Sequence, residues 1–110
     1  MSTFRALMNQ LGSLDPAERE SARTSLLQMD EDVMDLLVAE FYGGMPEKLA
    51  VALLEITGEI GGYEALNLLG DVYYSHDTRP TLKTAARLAL LRNADNLDPQ
   101  QVAKLKEDEA

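Results

Sequence analysis

An all-α fold, a single domain of short helices, is what this sequence predicts, and three observations predict it. Apolar residues recur at steps of three and four along nearly the whole chain, the period of a helix with one buried face. Prolines and glycines fall at helix-length intervals, where they start and stop such segments. No run alternates apolar and polar residues for long enough to make a strand.

Taken in order, Phe4, Leu7, Met8 and Leu11 lie on one stripe of a short first helix ended by Gly12. Leu14-Asp15-Pro16-Ala17-Glu18 opens the second. Asp15 can accept bonds from free backbone amides, Pro16 suits the first turn, and Glu18 can return a capping bond. Ala22, Leu26, Leu27 and Met29 carry this helix to about Met29. Asp30-Glu31-Asp32 supplies a cap and further carboxylates at the positive end of a third helix, Val33 to Tyr42, which Gly43-Gly44 ends.

Pro46 restarts the chain, and Leu49, Ala52, Leu53, Ile56 and Ile60 mark the buried side of a fourth helix, broken by Gly61-Gly62. Gly58 inside it costs about 1 kcal/mol relative to alanine, which points to close packing or an early end. A fifth helix runs from Tyr63 to Tyr74. After the loop Ser75 to Arg79, in which Asp77 or Thr78 is placed to cap the next helix, Pro80 starts a sixth with Leu82, Ala85, Ala86, Ala89, Leu90 and Leu91. A second Leu-Asp-Pro, Leu97 to Pro99, opens a thin last helix with Val102, Ala103 and Leu105.

Composition bounds the function. A chain of 110 residues, 45% apolar, buries one core and falls short of the length at which a second is expected. The absence of cysteine removes disulfides, thiolate catalysis and zinc fingers, as suits a reducing compartment. The start MSTFRALMNQ has no basic region leading into an apolar core, and no apolar run is long enough for a membrane, so a cytoplasmic location is expected. Ten basic residues against nineteen acidic give a net charge of -9, which disfavours nucleic acid and anionic membranes and favours basic partners. The densest cation cluster, Lys83, Arg87 and Arg92, reads as a solvated helix face.

The chain also resembles itself. Met34-Asp35-Leu36-Leu37 matches Leu66-Asn67-Leu68-Leu69 32 residues later, with Phe41-Tyr42 over Tyr73-Tyr74, a spacing within the range of helical repeats. Arg19 stands three residues before Ala22 and seven before Leu26, as Lys83 stands before Ala86 and Leu90. The middle unit runs from Ala52 through Ile56-Thr57-Gly58-Glu59-Ile60-Gly61 to Glu64-Ala65-Leu66, with Ala50 at the basic position. A basic residue, paired alanines, a leucine and a glycine turn resemble the HEAT-like repeat family, in the variant first described for phycobilin lyases, over residues 15–92. The resemblance implies a short right-handed α-solenoid of about three helix pairs. Residues 1–14 would be an N-terminal capping helix, 15–44 repeat 1, 45–77 repeat 2, and 78–110 a degenerate repeat 3 with the C-terminal cap. If a cap fails, the exposed end would form a homodimer.

On the fifth helix Glu64, Asn67, Asp71 and Tyr74 fall opposite the apolar stripe, and the corresponding positions of the third are Asp32, Asp35, Ala39 and Tyr42. Packed helices lie roughly 8 to 10 Å apart, so both rows can touch one bound segment. The resemblance makes this the concave binding face. The expected function is a non-catalytic protein-interaction or scaffold module whose partner-binding residues are Asp32, Asp35, Tyr42, Glu64, Asn67, Asp71 and Tyr74, taking a basic helix or peptide. The alternative the resemblance implies is a lyase-type or chromophore-handling accessory subunit; a repair enzyme is disfavoured by the acidic charge.

Other chemistry finds little footing. His76, the only histidine, sits near Asp71, Tyr74 and Asp77, but a stable metal or acid-base site needs several groups on fixed elements. The glycine pairs follow no strand and carry no lysine-serine, so they form no phosphate loop. No serine lies in a nucleophile elbow, and no cofactor is expected.

Overall fold

The structure, a computed structural model, describes residues 3–29 and 33–107. Within them the chain forms seven α-helices and no strand: α1 (Thr3–Leu11), α2 (Pro16–Leu27), α3 (Val33–Gly43), α4 (Glu47–Ile60), α5 (Gly62–Tyr74), α6 (Pro80–Arg92) and α7 (Pro99–Glu107). A 3-10 turn over Ala94–Asn96 joins the last two. None of these helices is long and apolar enough to cross a membrane. The molecule measures 43 × 26 × 25 Å.

The helix starts follow local chemistry, with two departures from expectation. At α2 the Ala17 N–H donates to Asp15 Oδ1 at 2.9 Å, and Pro16 occupies the first turn. Glu18, however, does not reach back to the Asp15 N–H. Ser13 lies closer, so its Oγ accepts that N–H at 3.1 Å and donates its own proton to the Glu18 carboxylate. The second Leu-Asp-Pro closes the reciprocal box: the Gln100 N–H donates to Asp98 Oδ1 at 2.9 Å, and the Asp98 N–H donates to Gln101 Oε1 at 3.3 Å. Neither Asp77 nor Thr78 caps α6, whose N-cap residue is Arg79 with no side-chain bond. Proline at the next position brings no N–H, so one free donor fewer has to be satisfied there. Helix α2 ends at Leu27, two residues before Met29. The expected cap at Asp30 to Asp32 lies outside the described residues.

Helix α4 is the centre of the packing. It touches α2, α3, α5 and α6, and α5 in turn rests on α3 and α6. The sequence marks one buried stripe on α4, and the structure has a broader one. Leu53 and Ile56 are fully buried as expected, Leu49, Ala52 and Ile60 are half-buried, and Ala50, Leu54, Thr57 and Gly58 are buried as well. Thr57 tolerates this because its hydroxyl donates to Leu53 O at 2.8 Å, within its own helix.

Gly58 marks the closest approach of two helices, and it does not end α4 early. A Cβ on Gly58 would lie 2.7 Å from Ala89 Cβ and 3.1 Å from Ala89 Cα, so α4 and α6 meet backbone to backbone. Buried Asn93, at the end of α6, locks this crossing: its Nδ2 donates to both Gly58 O and Ala89 O at 2.9 Å. Gly61, with φ of +67°, then turns the chain into α5 as only glycine does without strain.

Ion pairs tie the outside of this core. Arg23 of α2 bonds Glu20 on its own helix and Glu59 of α4, and Arg92 of α6 approaches the same Glu59 at 3.9 Å. The hydrogen bond from Arg23 holds the Glu20 carboxyl below its ordinary pKa, and the bonds to Glu20 and Glu59 push the guanidinium up.

The Gly58 contact generates a test. Alanine at Gly58 gains about 1 kcal/mol of helix propensity. It also forces a methyl into backbone atoms that cannot rotate aside, an overpacking cost of about 1–3 kcal/mol. Gly58→Ala is therefore expected to lower stability on balance, and Asn93→Ala to lower it by about 1–3 kcal/mol through lost buried hydrogen bonds. Urea unfolding of each variant checks both.

Candidate functional site

Helix α5 is a ridge with two different flanks. Residues turn by about 100° each around a helix. Viewed from Asn67, Glu64, Leu68 and Asp71 therefore lie to one side and Tyr63, Leu66, Gly70 and Tyr74 to the other. The first flank faces α3, and the second faces α6 and α7.

Between α3 and α5 lies a groove of about 290 Å³ lined by Asp35, Val38, Tyr42, Glu64, Asn67, Leu68 and Asp71. Asp35 and Tyr42 come from α3, and the other named polar groups from α5. Five of the seven residues expected to bind a partner thus share one groove. Tyr74 does not join them: it turns to the other flank, three residues and so about 60° back from Asp71. Asp32 lies outside the described residues. The floor residues Val38 and Leu68 carry no polar signal, which is why the sequence left them out.

The electrostatics of this groove are one-sided. Among the described residues Glu20, Glu40, Glu47 and Glu59 each have an arginine within 4 Å. Asp35, Glu64 and Asp71 have none. Tyr42, 62% exposed, makes a long hydrogen bond from its hydroxyl to Asp71 Oδ2 at 3.5 Å. Partial burial and then the negative charge of Asp71 and this bond push the Tyr42 phenol above its ordinary value of 10.0.

The aromatic pairs repeat in form. Phe41 and Tyr42 meet edge to face at 5.4 Å, and Tyr73 and Tyr74 do so at 4.9 Å. In each pair the first ring turns inward and the second outward, Tyr73 being 3% exposed and Tyr74 53%. The Lys83 ammonium lies 5.5 Å from the centre of the Tyr73 ring.

On the other flank a second groove of about 360 Å³ runs against α6 and α7. Its rim is Tyr63 and Tyr74 and its walls are Leu66, Leu90, Leu97 and Leu105; it shares Asn67 and Asp71 with the first. The thin last helix supplies Gln101 and Leu105 here, and Leu105 is only 2% exposed. The sequence carries no signal for this groove, because its walls come from segments far apart in the chain, Leu66, Leu90, Leu97 and Leu105.

His76 is exposed in the loop between α5 and α6. Among the described residues no three histidine, aspartate or glutamate side chains gather to hold a metal ion. Comparison with family models, curated proteins and solved structures found no match.

The Tyr42 shift has a checkable sign. Because the folded state raises this pKa, it favours the protonated phenol. The resulting stability is fully present below pH 10 and is lost as pH rises through the folded value. Tyrosinate absorbance, with Tyr42→Phe identifying the residue, is expected to show Tyr42 ionising above an ordinary tyrosine, and Asp71→Asn to bring it part of the way back, since burial, the larger cause, remains.

Proposed function

We propose that this chain is a non-catalytic protein-interaction or scaffold module that binds a basic segment of a partner protein along the groove between α3 and α5. The observation that carries the reading is the convergence of Asp35, Glu64 and Asp71 on one groove with no arginine or lysine set against them among the described residues. Carboxylates that line one groove without a counter-charge attract a cationic segment entering it. Exposed Tyr42 adds a flat amphipathic surface of the kind that anchors interfaces.

The HEAT-like reading belongs to the same proposal. The alternate helices α2, α4 and α6 lie side by side and α5 lies beside α3, which supports a short stack of helix pairs. The matching edge-to-face pairs on α3 and α5 support a repeated unit. Such stacks commonly use one helix row as a binding surface, and a cytoplasmic module of this kind acts by holding a partner.

Reversing charge at Asp35→Lys and Asp71→Lys, in a chain used as bait in an extract of the source cell, is expected to cut recovery of the bound protein by about tenfold. Circular dichroism confirms that the variants stay helical. Undiminished recovery would falsify the reading.

A further inference from the structure

Gly70 is unexplained by the packing of the chain itself. It lies in the interior of α5, where glycine weakens a helix relative to alanine. Gly58 carries the same penalty for a visible reason, its contact with Ala89, whereas a Cβ on Gly70 would meet nothing within 4 Å. The φ of Gly70 is not positive, so no turn requires glycine either. What the missing side chain does is leave open the second groove, between the exposed rings of Tyr63 and Tyr74 and above Leu66 and Leu90.

We infer that this opening is a pocket for one large apolar side chain of the same partner segment whose basic residue occupies the acidic groove, an inference that rests on the function proposed above. An apolar cavity of about 150 Å³ already holds benzene, and this groove measures about 360 Å³, so a phenylalanine or leucine side chain fits over Gly70. The two grooves adjoin along the ridge, because Asn67 and Asp71 line both. Asp71 therefore sits between the two subsites, one set for positive charge and one for an apolar anchor. The complementary ligand is an amphipathic segment carrying an arginine or lysine and a bulky apolar residue on the same face. The acidic flank selects charge, the Gly70 flank selects size and shape, and together they distinguish such a segment from a merely basic one.

The probes are short synthetic peptides in an alanine-glutamine background, each with one arginine and one phenylalanine at every separation along two helical turns. Each is paired with Phe→Ala and Arg→Gln versions. The best peptide is expected to lose about tenfold in affinity in its Phe→Ala form. That difference is expected to vanish in Gly70→Leu, where the protein fills its own pocket. Gly70→Ala is expected to raise the thermal midpoint by about 4 °C while weakening the Phe peptide, so that lost binding cannot be lost folding. In the wild-type chain the Gly70 amide resonance is expected to move with the Phe peptide and not with its Ala form.

If no peptide distinguishes Phe from Ala, or the distinction persists in Gly70→Leu, the pocket assignment is overturned. Continued loss of binding on Asp35→Lys and Asp71→Lys would then leave the acidic groove as the site by itself. A wild-type chain that sediments as a dimer and becomes monomeric on Gly70→Leu assigns the pocket to a second copy, and overturns the inference as well.

Discussion

The approach of α4 to α6 at Gly58 and Ala89 is the constraint on which the rest of the molecule depends. Helices separated by ordinary side chains lie roughly 8 to 10 Å apart. Here one partner has no side chain and the other a single methyl, so the backbones come into direct contact. Asn93 adds a polar stitch at the same point, satisfying its amide inside the core with two main-chain carbonyls. Once this pair is set, α5 has one place to lie, against α6 with α4 behind it, and α2 and α3 fill the remaining sides of α4.

The position of α5 then decides the chemistry of the surface. A helix held by Ala65, Leu68, Leu69, Val72 and Tyr73 presents everything else outward, and its outward residues divide by angle into two kinds. Carboxylates face α3, while tyrosine rings and a glycine gap face α6 and α7. Helix α7 is thereby more than an end cap: through Leu105 it closes the apolar side of the ridge.

Much of this is legible in the sequence, for definite reasons. The helices and their order come from the apolar period and from Pro16, Pro46, Pro80 and Pro99 at or beside their starts. The first stripe, Phe4, Leu7, Met8 and Leu11, is buried as its spacing requires. The second stripe of α4 is hard to see because alanine, threonine and glycine carry weak hydrophobic signals, although small residues are what a close crossing needs. Burial of Tyr73 is hidden by its neighbour, since two adjacent tyrosines look alike until the helix is oriented. Matching the repeats by number makes Tyr74 a companion of Tyr42; the flank of α3 that carries Tyr42 faces α5, whereas the same flank of α5 faces α6 and α7, so Tyr74 lines the second groove. Glu18 turns to Ser13 because two acceptors compete for one short reach.

The arginine pairs on Glu20, Glu40, Glu47 and Glu59 leave the electrostatic potential of the acidic groove uncancelled by any close counter-charge among the described residues. A potential of that kind extends about 10 Å into solution at 0.1 M ionic strength, well beyond van der Waals contact. A cationic segment diffusing nearby is drawn toward α5 before any side chain touches it. In the proposed complex the carboxylates would thus govern how fast the partner binds, while the buried apolar area would govern how long it stays.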